Sequence, residues 1–262
     1  MNFLFVVPTL NPSELEIEKL VYSLINQTYK KWNLLLIDGY SNEKIIKKFD
    51  NFSRMDQRIK WKYQDKETHK IYGAMNTGIN NAGKNDWIIF WGSDDWASSF
   101  SSLEQIIESI NIKKMLPDLL IARGEYSNSF KTNTIKTNSN HFFDNYDYFE
   151  TQKFRDILFF GKTPIHQVVI FSPKIIRIMK KYDEKYELAS DLDCFLNISR
   201  NRNLIVKSID VKIVSMGVSG VSSSNHFQRF QEVYSIYRKY FGFMGIFSFV
   251  LRYINRLFAL FI

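Results

Sequence analysis

The chain predicts an α/β fold with a mostly parallel central sheet flanked by helices. Three observations carry this. Strand-length apolar runs alternate with helix-periodic stretches through the first hundred residues. The runs FLFVV, WNLLLID and DWIIFW are nearly continuous rather than alternating, as in strands covered on both faces. The connections are long enough for the crossovers that a parallel sheet requires.

Residues 3–7 form the first strand. Ser13 stands as N-cap before ELEIEKLVYSLIN, with Glu16 at capping-box spacing and Leu15, Leu20 and Ile25 in helical period. WNLLLID is the second strand and ends at Asp38. SNEKIIKKF opens a helix, RIKWKY is a short alternating strand, and IYGAMNTGINNAG is a helix closed by Gly83. DWIIFW is a strand that stops at GSDD. Beyond it, SSLEQIIESINIKKM is an amphipathic helix, and DLLIARGEYSNSFKTNTIK reads as a hairpin region. HQVVIFS is a strand, SPKIIRIMKKY a helix with Pro173 in its first turn, SDLDCFLNIS another helix, and NLIVKSIDVKIVSMG supplies late strands. No internal repeat or long linker appears. The chain divides into a half at 1–100, a half at 101–225 and a tail at 226–262, the halves sharing one domain.

The 262 residues carry 35 Lys+Arg against 27 Asp+Glu, a net charge of +8, and 45% are hydrophobic, which excludes wholesale disorder. The basic excess fits anionic lipid or phosphorylated substrates as well as a solvated lysine-rich surface. No nucleic-acid arm or aromatic RNA-binding signature is present. The single cysteine, Cys194, excludes an internal disulfide framework and a multi-cysteine zinc site, and fits a reducing compartment. MNFLFVVPTLNP has neither a basic start nor a cleavage-like stretch, so no secretory signal is expected and a cytoplasmic location is.

In open α/β sheets, ligands bind beyond the carboxyl ends of the strands. Asp38 and the Asp94–Asp95 pair both follow such ends directly. FVVPTLN, SLINQTYKKWNLLLIDGYSNE, IYGAMNTGI, DWIIFWGSDD, HQVVIFSPKII and ELASDLDCFLNI together resemble, in order and spacing, the family-2 glycosyltransferases. These are inverting enzymes of the GT-A fold that use nucleotide-sugar donors. The second of these stretches resembles a pattern ending V-D-G-G-S-T-D.

The resemblance implies a role for each position. Asp94 would be the ligand of a divalent cation, Mn²⁺ or Mg²⁺, which needs only one or two protein carboxylates beside phosphate oxygens and water. Asp95 would lie in the donor site. Gly92 replaces a frequent family Asp. Asp38 would accept hydrogen bonds from uracil or another base, and a UDP-sugar is the donor that the resemblance implies. Thr9 and Ser41 would line the same pocket, and Asn76 would contact the donor or brace its loop. Asp191 would be the general base, although alone it reads as a helix N-terminal carboxylate. Asp193, two residues on and about 200° around a helix, would point elsewhere. His166, Trp96 and Asp193 are the acceptor-side candidates; packing in the core is the other reading of His166 and Trp96.

The last 22 residues, FGFMGIFSFVLRYINRLFALFI, form an amphipathic helical tail. Gly245, Ser248, Arg252, Asn255 and Arg256 make a polar stripe on an apolar helix. The expectation is an interfacial helix with this stripe at the headgroups; the alternatives are packing on the protein's own core or a homo-oligomer contact. The function expected is sugar transfer to a glycan or polyprenyl-linked oligosaccharide in surface polysaccharide or lipopolysaccharide biosynthesis, peripheral to the inner face of the plasma membrane. The alternatives are a nucleotidyltransferase, which would want a phosphate loop that PTLNPSELE lacks, and a non-catalytic membrane-associated scaffold.

Overall fold

The computed structural model describes residues 1–111, 115–126, 143, 147–217 and 225–258. Its first half follows the alternation of the sequence: β1 (Asn2–Thr9), α1 (Glu14–Ile25), β2 (Trp32–Asp38), α2 (Glu43–Met55), β3 (Ile59–Tyr63), α3 (Lys70–Asn80) and β4 (Asp86–Phe90). Then come β5 (Trp96–Ala97), α4 (Ser102–Asn111), β6 (Leu119–Tyr126), β7 (Tyr148–Glu150), α5 (Thr151–Phe159), β8 (Val169–Phe171), α6 (Pro173–Met179), α7 (Ser190–Ile198), β9 (Ile205–Met216), α8 (His226–Phe241) and α9 (Gly245–Phe258).

One sheet runs in the order β3-β2-β1-β4-β8-β6-β9-β5, with β7 also on β9. The first four strands are parallel, and the sheet becomes mixed where β8 joins β4 antiparallel. β6 pairs with β8 and β9. The hairpin region expected over residues 118–136 begins as β6, and its remainder, residues 127–136, lies outside the described residues.

Alternation along β1 separates the two layers. Phe3, Phe5 and Val7 pack with α1, α2 and α4, whereas Leu4 and Val6 pack with α3 and with the helices α5 to α8. Burial on both faces explains why these strands read as unbroken apolar runs. At the helix starts, Ser172 and Asn42 accept the backbone N–H groups of Ile175 and Ile45, whereas Ser13 makes no side-chain cap. The capping box expected at Ser13 is therefore not formed.

The tail reverses an expectation. The polar stripe of α9 faces the protein. Arg252 is only 7% exposed; its Nη1 donates to Thr163 Oγ1 at 2.8 Å, and Asn255 Nδ2 donates to the Phe160 carbonyl at 2.8 Å. Ser248 and Gly245 are buried, the latter against the Tyr237 carbonyl. The loop after α5 supplies these polar partners, so Arg252 and Asn255 bond to the protein itself. Phe243, Met244, Phe247, Val250, Ile254 and Leu257 are left outward-facing. Among the described residues, no helix is long and apolar enough to cross a membrane.

Candidate active site

The parallel register aligns the ends of β1 and β2, so Thr9 lies beside Asp38. The Asp38 carboxylate is fully buried and organises the turn that follows it. Its Oδ1 accepts from Thr9 Oγ1 at 3.1 Å and from Ser41 Oγ at 2.5 Å, and its Oδ2 accepts from the Ser41 N–H at 2.7 Å. Three of the expected nucleotide-side residues thus form one cluster. Next to it is a cavity of about 480 Å³ lined by Gly39, Tyr40, Gln64, Lys66, Thr68 and Lys70, among others.

Beyond β4, the chain turns tightly at Gly92. Asp95 is 1% exposed beneath Asp94. Its carboxylate accepts the Gly92 N–H at 2.7 Å, and also bonds with the Gly217 N–H and the Gln167 side chain. Burial, and then the charge of Asp94, push Asp95 up to about 8. Asp95 therefore braces the turn rather than facing the cleft, which corrects its expected place in the donor site. Asp94 is partly exposed above it. A β-carbon at Gly92 would lie 2.7 Å from Asp94 Oδ1, and one at Gly217 would overlap the same carboxylate, so two glycines cradle it. The space that an aspartate at position 92 would need is already occupied.

Asp191 lies in the first turn of α7. Its Oδ1 accepts the Leu192 N–H at 2.8 Å and lies 3.5 Å from the Tyr72 hydroxyl, which itself accepts the Asp191 N–H at 3.3 Å. Burial, and then this carboxylate, hold the Tyr72 phenol protonated well above its ordinary range. His166 packs against Phe90, Phe171, Tyr182 and Phe195, and its Nε2 is 2.7 Å from the Tyr182 hydroxyl. Burial of the ring pushes it down to about 4, against the pull of Asp191. His166 is therefore a neutral packing partner at neutral pH.

For Asn76 and Trp96 the structure takes the bracing and packing readings, and it places Asp193 away from the acceptor side. Both N–H groups of the Asn76 amide are taken up by the Tyr182 carbonyl and Glu184, and its oxygen accepts the Tyr182 N–H, so it braces α3 against the loop before α7. Asp193 points to the tail, where Lys239 Nζ is 2.6 Å away. Trp96 is buried under Lys19, whose Nζ lies 3.2 Å over its ring, and offers no floor for an acceptor sugar. Gln167 and Gly217 were missed. The only sequence signals for them are the HQ dipeptide before β8 and a glycine closing β9.

A family model described as Glycosyl transferase family 2 matches residues 4–176, well over half of the chain. The chain belongs to glycosyl transferase family 2. The curated glycosyltransferase GlyA of Streptococcus pneumoniae serotype 4 (strain ATCC BAA-334 / TIGR4) is 35% identical over 91 residues, which are 35% of this chain and 12% of that protein's length. The chain therefore spans about an eighth of that relative. The crystal structure of S. aureus TarS 1-349 matches with a TM-score of 0.71 at 16% identity, over 99% of this chain and 72% of that one. The same TarS region in complex with UDP-GlcNAc matches at 0.69 and 16%, over 90% and 66%. The mannosyltransferase PcManGT from Pyrobaculum calidifontis, in complex with GDP-Man and Mn²⁺, matches at 0.57 and 12%, over 99% and 75%. These likenesses establish the GT-A fold, in agreement with the family model over residues 4–176.

Proposed function

We propose that the chain is a metal-dependent, inverting transferase that moves a sugar from a UDP-sugar to a hydroxyl of a glycan or lipid-linked oligosaccharide, in surface polysaccharide biosynthesis. The observation that carries this reading is that His166–Gln167, the dipeptide leading into β8, lies near two separate carboxylate centres. Gln167 bonds to Asp95, which braces the turn carrying Asp94, and His166 feels the charge of Asp191. The Asp94 turn and Asp191 thus share one neighbour.

Asp191 takes the proton of the acceptor hydroxyl as that oxygen attacks the anomeric carbon from the face opposite the leaving nucleotide. Its Oδ1 is engaged by Leu192 and Tyr72, which leaves Oδ2 for the proton. Thr9, Asp38 and Ser41 hold the nucleoside end. The UDP and UDP-GlcNAc complexes of the TarS relative favour uridine.

Asp94, partly exposed and cradled by Gly92 and Gly217, fits a divalent cation. Burial raises Asp95 most and the charge of Asp94 adds to it; a cation beside Asp94 would relieve that second part. Asp94 is the side chain that would hold Mn²⁺ or Mg²⁺. When bound, the ion would neutralise charge on the departing diphosphate. The Mn²⁺ complex of the mannosyltransferase relative agrees with that choice. The test is activity of Asp94→Asn and of the wild type in EDTA. Both should lose nearly all transfer, and Mn²⁺ should restore only the wild type. Full activity in EDTA would overturn the metal assignment.

The outward face of α8 and α9 is suited to an anionic lipid surface. Phe227, Phe230 and Tyr234 extend the apolar face of α9. Of the cations across residues 226–258, Arg252 is buried and Lys239 pairs with Asp193, which leaves Arg229, Arg238 and Arg256 for a lipid surface, and the sole acid is the buried Glu232. A second copy would set cations against cations, whereas anionic headgroups complement them. Peripheral binding at the inner face of the plasma membrane follows.

A further inference from the structure

Tyr40 follows β2 with a φ of +72°, a left-handed conformation that bulky side chains rarely adopt and glycine takes at little cost. The pattern that this stretch resembles has glycine at that position. Strained backbone of this kind clusters at binding sites. Burial does not explain the tyrosine, because it is 54% exposed.

Its ring lies flat on that of Tyr63, with centroids 4.9 Å apart and planes 8° apart. Tyr63 meets Trp61 edge-on at 5.2 Å, and Trp61 is tied down by a 2.9 Å bond from its Nε1 to Asp50 Oδ1. Trp61 in turn packs on the core residue Phe49. A row of rings therefore runs outward from the core and ends at Tyr40. Tyr40 lines the cavity beside the Asp38 turn, and Tyr63 supports it from outside that lining.

We propose that the Tyr40 ring, backed by Tyr63, is the stacking wall for the nucleobase of the donor. The inference rests on the nucleotide reading given above and adds an apolar contact to the Thr9–Asp38–Ser41 cluster. Every base has a π-face, so the ring raises affinity without selecting the base. Selection stays with the polar groups. Because Tyr63 already holds the ring in place, little rotamer freedom is lost on binding.

The test is calorimetric titration of UDP, GDP and inorganic pyrophosphate, each with Mn²⁺, into the full chain and its Tyr40→Phe and Tyr40→Gly variants. Tyr40→Phe should bind the nucleoside diphosphate within about twofold of the wild type, because the π-face is kept. Tyr40→Gly should bind it about tenfold more weakly. Pyrophosphate should bind all three equally. The Tm of Tyr40→Gly should be no lower than that of the wild type, since glycine relieves the positive φ. Wild-type UDP and GDP affinity in Tyr40→Gly would overturn the stacking wall and leave the nucleotide reading standing. An equal loss of pyrophosphate and nucleotide would also overturn it, because the ring would then act through the turn. A wild type that binds neither nucleotide would overturn both readings.

Discussion

Asp191 and Asp193 stand two residues apart in one helical turn and serve opposite sides of α7. Asp191 faces Tyr72 of α3, and Asp193 holds Lys239 of α8. Asp191→Asn should lower kcat by roughly 10²–10⁴ with little change in donor KM, since it removes a group that acts in the transition state. Asp193→Asn should leave kcat within a few-fold and lower the Tm instead. Reversed effects in steady-state kinetics would exchange the two roles. His166 makes a pH prediction. Its folded value near 4 lies below the ordinary 6.5 because the ring is buried. Between pH 6.5 and about 4 the unfolded chain takes up a proton that the folded ring refuses, so stability falls as pH falls through that window. Above 6.5 neither state is protonated, and below about 4 both are, so the contribution is flat outside it. Urea midpoints at pH 7 and pH 4.5 should differ less for His166→Gln than for the wild type.

Helix α8 acts on the site from behind. Glu232 is buried, and its two carboxylate oxygens accept the N–H groups of Glu187 and Leu188 at 2.9 Å each. Glu187 also pairs with Lys70, and Glu184 accepts the His69 N–H at 2.9 Å, so the loop before α7 is held between α8 and the start of α3. Glu232→Ala would leave two backbone donors without their acceptor, at a cost of about 1–3 kcal/mol for each that stays buried. The expected outcome is a lower thermal midpoint together with a reduced kcat, because the same loop carries Asp191 into position. An unchanged kcat in a destabilised variant would show that α8 supports the fold without tuning the base.

At the scale of the molecule, the catalytic layers and the tail are one packed body. Val233, Ile236, Tyr237 and Phe249 belong to the core beneath α5 and α7. Deleting residues from 241 onward would therefore bare part of that core, and outward substitutions are the cleaner probe of membrane binding. Phe243→Ser combined with Phe247→Ser and Leu257→Ser changes exposed side chains alone. The triple variant should keep its Tm within a few degrees, keep nucleotide binding, and no longer float with anionic liposomes. Burial of each such large side chain is worth roughly 1.5–3 kcal/mol when complete. Flotation undiminished in the triple variant would refute the lipid-facing role of α9.

The local order of strands and helices, and the placement of Asp38 and Asp94 past strand ends, were legible because each rests on short-range signals. Unbroken apolar runs mark doubly covered strands, and polar turns must follow them. The family pattern added Asp191, which no periodicity distinguishes from a helix-terminal carboxylate. Asn76, Asp95, Trp96 and Asp193 show where such reading stops. Each is a plausible ligand contact by type, and each is engaged by a partner far along the chain: Tyr182, Gly217, Lys19 and Lys239 respectively. The stripe of α9 shows the same limit for a whole helix. The sequence by itself determined that one face is polar and the other apolar. Only the tertiary structure decided which turns inward, because Thr163 and the Phe160 carbonyl, far along the chain, stand where Arg252 and Asn255 can bond to them and the core takes Phe249 beside them.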